Sequence, residues 1–285
     1  MPATPRRGGR FLTVLSIVLC IAGSLALMYP MAANWLASRN HNEAIQSYDE
    51  ASARQTQAQL DAAMEEARQY NESLIGQPVR DPFVPGSGYA IPSNYDDVLN
   101  VAGDGVMASI EIPKIGVDLP IYHGTSDEVL SKGVGHIEST TLPIGGANTH
   151  AVLTGHRGLP QAELFTRLDE LQVGDTFVID VLGQKLAYRV FAVETVLPDQ
   201  LDSLSVKDGR DLVTLVTCTP YGINTHRLLV HAERTEYAPE MENPGEQGFR
   251  LSTDTLMRLA GALLGIVLLV LCNVVGRAVF RRLNP

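Results

Sequence analysis

A thiol, an imidazole and a guanidinium stand out in this chain by type and setting. The sequence has three cysteines, Cys20, Cys218 and Cys272. Cys20 and Cys272 fall inside long apolar runs, where a thiol acts as a small apolar side chain. Cys218 ends the β-branched stretch LVTLVTC and is followed by Thr219, Pro220, Tyr221 and Gly222. Pro220 cannot extend a strand ladder, so the strand stops there and leaves the thiol at a rim. A lone thiol in that position is either incidental or a nucleophile, and a nucleophile needs a base or cation beside it. Seven histidines are available. His41 lies in a helical stretch, while His123, His136, His150, His226 and His231 lie on or beside strands, where structural roles are commoner. His156 follows the apolar run AVLTG and precedes Arg157 and Gly158, again where a strand gives way to a loop. Arg227 comes nine residues after Cys218, across a short loop containing Pro220 and Gly222. A hairpin there sets Arg227 opposite Cys218, where a guanidinium favours a thiolate and donates to an oxyanion.

Taken together, TGHRG, LVTCTPYG and NTHRLLV resemble the sortase family, specifically the pilin-assembling members called class C. The resemblance covers residues 75–237. It implies that Cys218 attacks the Thr–Gly carbonyl of a Leu-Pro-x-Thr-Gly-like sorting signal and forms a thioester. His156 then protonates the departing amine and later deprotonates the incoming one, while Arg227 holds the oxyanion. The active form implied is a thiolate–imidazolium pair. Asp81-Pro82-Phe83 looks like the lid of pilin sortases, with Asp81 against the arginine and Phe83 over the thiol. By itself Asp-Pro is also an ordinary turn opener. The implied partners are pilins or surface proteins with C-terminal sorting signals, the accepting amine being a pilin lysine, at a Gram-positive cell surface. A housekeeping sortase that anchors proteins to peptidoglycan is the neighbouring reading. A non-catalytic surface scaffold is the reading from another class.

The elements that must position these residues follow from pattern. Short alternating runs at 107–113, 117–123, 151–156, 175–181, 185–196, 212–218 and 226–237 read as strands, and 163–171 as a short surface helix. Seven or eight strands with almost no helix between them imply an antiparallel barrel or sandwich. With the resemblance, the expected fold is all-β: a sortase-like eight-stranded β-barrel with an N-terminal helical segment and short surface helices, flanked by two transmembrane helices. Residues 41–74, rich in Ala, Glu, Gln and Arg and lacking Pro and Gly, predict one long helix or two short ones with a thin apolar stripe. That segment reads as a stalk or cap, packed lightly on its neighbours. No Gly-rich phosphate loop, HExxH, CxxC or EF-hand pattern occurs, and His226 and His231 are five apart on one strand, hence on opposite faces. No cofactor and no metal are expected.

Charge is strongly sorted along the chain. Net charge is −10, which argues against a nucleic-acid partner. All 32 acidic residues lie between Glu43 and Asp254, and residues 35–255 carry 15 basic side chains against them, a net −17. The ends are purely basic, with Arg6, Arg7 and Arg10 before one apolar run and Arg277, Arg281 and Arg282 after another. Each run approaches the roughly 20 residues that span a bilayer, and the arginines predict both termini in the cytoplasm. The first run fits a cleaved signal peptide as well as an anchor; its length favours the anchor. The expected organisation is a cytoplasmic start at 1–10, a span at 11–34 and a stalk at 35–76. A lid and linker follow at 77–105, then the barrel at 106–237, a linker at 238–255, a span at 256–276 and a basic tail at 277–285. The barrel is expected outside the cell, tethered to the membrane.

Overall fold

The computed structural model describes residues 7–74, 92–159, 162–242, 261 and 265. The chain divides into two compact units, one of residues 36–246 and one of 1–35 with 247–285. The lid tripeptide Asp81-Pro82-Phe83 and nearly all of the second apolar run lie outside the described residues.

Eight strands close a barrel in the order β1-β2-β3-β4-β7-β8-β6-β5. They are β1 Val106–Ile112, β2 Val117–His123, β3 Val134–His136, β4 Thr149–Thr154, β5 Thr176–Val181, β6 Gln184–Val196, β7 Asp211–Thr219 and β8 His226–Thr235. The all-antiparallel expectation is corrected. β2 and β3 pair in parallel, and so do β4 and β7. The physical reason is connectivity. A crossover carrying the short helix Asp127–Lys132 returns β3 alongside β2, and β5 and β6 intervene in sequence between β4 and β7. The helix expected over 163–171 is only a three-residue 3-10 turn, Leu168–Glu170. β3 carried too little alternation to be read, being three residues long and buried throughout.

The barrel interior is filled by alternate side chains, among them Ile110, Leu153, Phe177, Ile179, Tyr188, Val213, Leu215 and Val230. The opposite face of β4, β7 and β8 is covered too. Val152, Val216 and Leu229 pack there with Ile137 and with Leu201 and Leu204 of the β6–β7 connection. β7 is thus buried on both faces, which is why LVTLVTC reads as a continuous apolar run rather than an alternation.

The first helix, α1, spans Arg7–Ala53 and the second, α2, Gln57–Ser73, so the two-helix alternative for 41–74 holds. A capping box starts α2: Thr56 accepts from the Gln59 backbone and Gln59 reaches back to the Thr56 N–H. The expected light packing is corrected. Tyr48, Met64, Ala67, Tyr70 and Leu74 join the barrel core, all buried. The Tyr48 hydroxyl donates to the Met107 carbonyl at 2.7 Å and accepts from the Leu182 N–H at 3.2 Å. The Asn71 amide grips both backbone groups of Leu142, at 3.3 and 2.7 Å. These residues form a docked cap, because its stripe is thin but aromatic and each aromatic carries a polar tip that finds backbone.

The first apolar run lies within α1, with Leu15, Val18, Leu19, Ile21, Leu25 and Met28 exposed. Among the described residues no helix is long and apolar enough to cross a membrane, so the flanking transmembrane helices find no support there.

Candidate active site

The β7–β8 hairpin is present, and its register sets Cys218 directly across from Arg227. Directly paired residues put their side chains on one face with Cβ atoms about 5 Å apart. Cys218 is a thiol, 7% exposed, and Arg227 is 6% exposed. Arg227 Nη1 donates to the carbonyls of Asn224 and His226, both at 3.2 Å, which anchors one arm of its fork to the hairpin turn.

His156 arrives from the other side of β7. The parallel pairing of β4 with β7 runs up to Thr154 opposite Val216, and two residues further each strand delivers His156 and Cys218. Odd and even positions decide the face. Val216 and Leu229 line the outer wall, so Cys218 and Arg227 belong to that wall, with Val196 of β6 paired to Arg227. The three sequence-selected residues therefore come from adjoining strand ends at one mouth of the barrel wall.

The loop bearing His156 is pinned at several points. The Gly155 N–H donates to Val216 O at 3.1 Å, and the Phe165 N–H donates to His156 O at 3.2 Å. Thr217 Oγ1 donates to Gly155 O at 2.7 Å. Gly155 is required by close approach, since a Cβ there would sit 2.9 Å from the Phe165 ring. Gly158 has φ +83°, and a Cβ would sit 2.9 Å from the Tyr221 ring, so this backbone tucks against the β7–β8 loop. Burial pulls the His156 imidazole below its ordinary value and Asp127 partly offsets this, so the neutral ring prevails at neutral pH. The imidazolium is then a minor species.

Four other histidines are occupied elsewhere. His136 lies between the Tyr95 hydroxyl and the Thr141 carbonyl, each at 2.9 Å. His150 contacts Ser205 O at 3.0 Å and Thr214 Oγ1 at 2.7 Å. The same Thr214 hydroxyl faces His231 Nδ1 at 2.8 Å, and His231 Nε2 meets Glu194 at 2.8 Å. His123 touches the Gly105 and Val98 carbonyls. Among the described residues no cluster suited to a metal occurs.

Sequence reasoning missed Asp127, Arg157, Thr217 and Thr219 as parts of this site. Only the threonines carried a signal, since they frame Cys218 symmetrically. Arg157 Nη1 donates to Thr219 Oγ1 at 3.2 Å, and Nη2 pairs with Asp169.

Comparison with known proteins identifies the family. A family model described as the sortase domain matches residues 110–235. Sortase C-1 from Actinomyces oris superposes with a TM-score of 0.59 at 46% identity, covering 62% of this chain and 99% of that one. Streptococcus pneumoniae sortase C superposes with a TM-score of 0.63 at 42% identity, covering 69% and 99%. Sortase D of Bacillus subtilis (strain 168) is 30% identical over 128 residues, 44% of this chain; the match spans 62% of that relative's length.

Proposed function

The chain belongs to the sortase family, and from that membership we propose that it is a class C cysteine transpeptidase that joins pilin subunits. The observation that carries the reading is the cross-strand pair Cys218–Arg227 with His156 at the adjoining end of a parallel strand. The Cys218 sulfur attacks the Thr–Gly carbonyl of an LPxTG-like sorting signal, and the C–S bond forms as charge gathers on the carbonyl oxygen. Arg227 donates to that oxygen. His156 gives its proton to the departing glycine amine as the C–N bond breaks, leaving a thioester. A lysine amine of a second pilin then attacks, His156 takes its proton, a new C–N bond forms and the thiolate returns. The low basicity of His156 suits this role, because a weakly basic imidazolium is a stronger acid toward the leaving amine.

Pilin as substrate is supported by likeness to the S. pneumoniae sortase C, a protein described for its pilin substrate specificity. Incubating the purified chain with a sorting-signal peptide tests the chemistry. A covalent adduct at Cys218 by mass spectrometry is expected, and Cys218→Ala abolishes it. Absence of an adduct would leave a scaffold. Release of the adduct by a pilin lysine supports pilus assembly, whereas release only by a peptidoglycan cross-bridge amine assigns the housekeeping role.

The proposal includes a lid, Asp81-Pro82-Phe83, that masks the thiol at rest. Asp81→Ala or Phe83→Ala is then expected to speed thiol labelling; equal rates in variant and parent remove the lid. It also includes an extracytoplasmic barrel held by membrane anchors, for which the support is the sequence pattern of two apolar runs with basic outer flanks. Protease added to intact cells should cleave the 36–246 unit; full protection would refute that orientation.

A further inference from the structure

We infer that Arg157 and Thr219 are positioning residues that set the imidazole of His156 against the thiol of Cys218. The inference rests on the thiol chemistry proposed above and deepens it. Pairing between β4 and β7 ends at Thr154 and Val216, so the residues that matter sit beyond the last ladder pair. Strand ends are where backbone order is weakest. Two side-chain links carry the alignment onward. On the near side Thr217 Oγ1 meets Gly155 O at 2.7 Å, and on the far side Arg157 Nη1 meets Thr219 Oγ1 at 3.2 Å. Residues 155 and 157 flank His156, and residues 217 and 219 flank Cys218. The near link joins the Thr217 hydroxyl to the Gly155 backbone. The far link depends wholly on side chains.

Arg157 is built for a two-sided grip. Its side chain is 10% exposed, and its two terminal nitrogens serve different partners, Thr219 on the thiol strand and Asp169 on the 3-10 turn Leu168–Glu170. A planar fork holds two partners in fixed relation, which a lysine ammonium on a flexible stem does not. With Asp169 48% exposed, the ion pair is weak as a source of net stability. Its consequence is geometric: proton transfer needs heavy atoms about 2.6–3.2 Å apart, and a 1 Å misplacement costs about 100-fold in rate.

The test uses the detergent-solubilised full chain and two readouts: peptide cleavage, and iodoacetamide alkylation of Cys218 across pH. Thr219→Val and Arg157→Lys are each expected to lower kcat about tenfold or more with KM within about twofold, a loss of orientation rather than of binding. Both should cost alkylation on the acid side of the Cys218 profile, where the minor thiolate–imidazolium pair carries it, because the imidazolium no longer sits against the thiolate. Thr219→Ser keeps the acceptor oxygen and should recover most of the rate. The double variant Arg157→Lys/Thr219→Val should be no worse than either single, since both break one link. Additive losses, equal damage from Thr219→Ser and Thr219→Val, or a lowered Tm with an unmoved alkylation profile would each overturn the inference. If the parent cleaves no sorting peptide but the profile still shifts as described, the proposed function falls and the positioning role stands.

Discussion

Cys218 and His156 illustrate how neighbouring side chains set reactivity. His156 is held neutral chiefly by burial, with Asp127 acting in the opposite direction. Asp127 opens the first turn of a short helix behind the Ser126 cap, which ties its position to that helix rather than to the loop of His156. Asp127→Asn removes an effect that raises the imidazole's basicity. The expected outcome is a His156 titration, followed by NMR, that moves further below its ordinary value. The pH limb of peptide cleavage that depends on imidazolium should move down with it. A shift to higher pH would contradict the electrostatic account. Arg227 differs in kind: its Nη1 is spent on the turn carbonyls of Asn224 and His226, so what it offers a substrate is a pre-aimed fork rather than a mobile charge.

Secondary elements contribute by holding backbone that would otherwise be strained. The β5–β6 hairpin turns on Leu182 and Gly183, with φ of +51° and +77°, the primed geometry that two-residue hairpins favour. Leu182 is a poor residue for that conformation, and its N–H is caught by Tyr48 of α1. The cap helix therefore completes the turn as well as covering the barrel end. Tyr48→Phe keeps the ring and removes the bridging hydroxyl, leaving buried backbone groups at Met107 and Leu182 without it. A loss of roughly 1–3 kcal/mol in urea denaturation is expected, with the slope unchanged. A loss within a few tenths of a kcal/mol would show that the hydroxyl contributes packing only.

For the whole molecule, pH is the condition that separates buried from exposed histidines. Burial holds His136 at about 4, with the Thr141 carbonyl opposing and His123 reinforcing. Burial also holds His150 at about 4, reinforced by His231, Lys207 and Arg210. Both native values lie below the unfolded value of 6.5. Between those limits the unfolded chain binds protons that the native state refuses, so stability falls as pH drops from about 6.5 to about 4 and loses nothing further from these groups below that. Each site accounts for up to about 3 kcal/mol. Urea midpoints at pH 7, 5.5 and 4.5 should decline steadily, and His136→Gln should flatten part of the slope; a midpoint that rises on acidification would refute this. Much of the molecule was legible from residues alone. Cys218 opposite Arg227 is a local matter: a short loop after a strand-breaking proline folds the next strand straight back onto β7. The helical cap and most strands were equally local, being written in period and punctuation. Which histidine meets the thiol could not be decided that way by geometry, because β4 and β7 are 62 residues apart and become neighbours only when the barrel closes. The resemblance of TGHRG singled out His156, but the threonine and arginine links around it depend on a parallel register that no adjacent turn dictates. Sequence alone settles what short connections enforce; contacts across long separations are settled by the closure of the sheet and the packing of its two faces, which are properties of the whole fold.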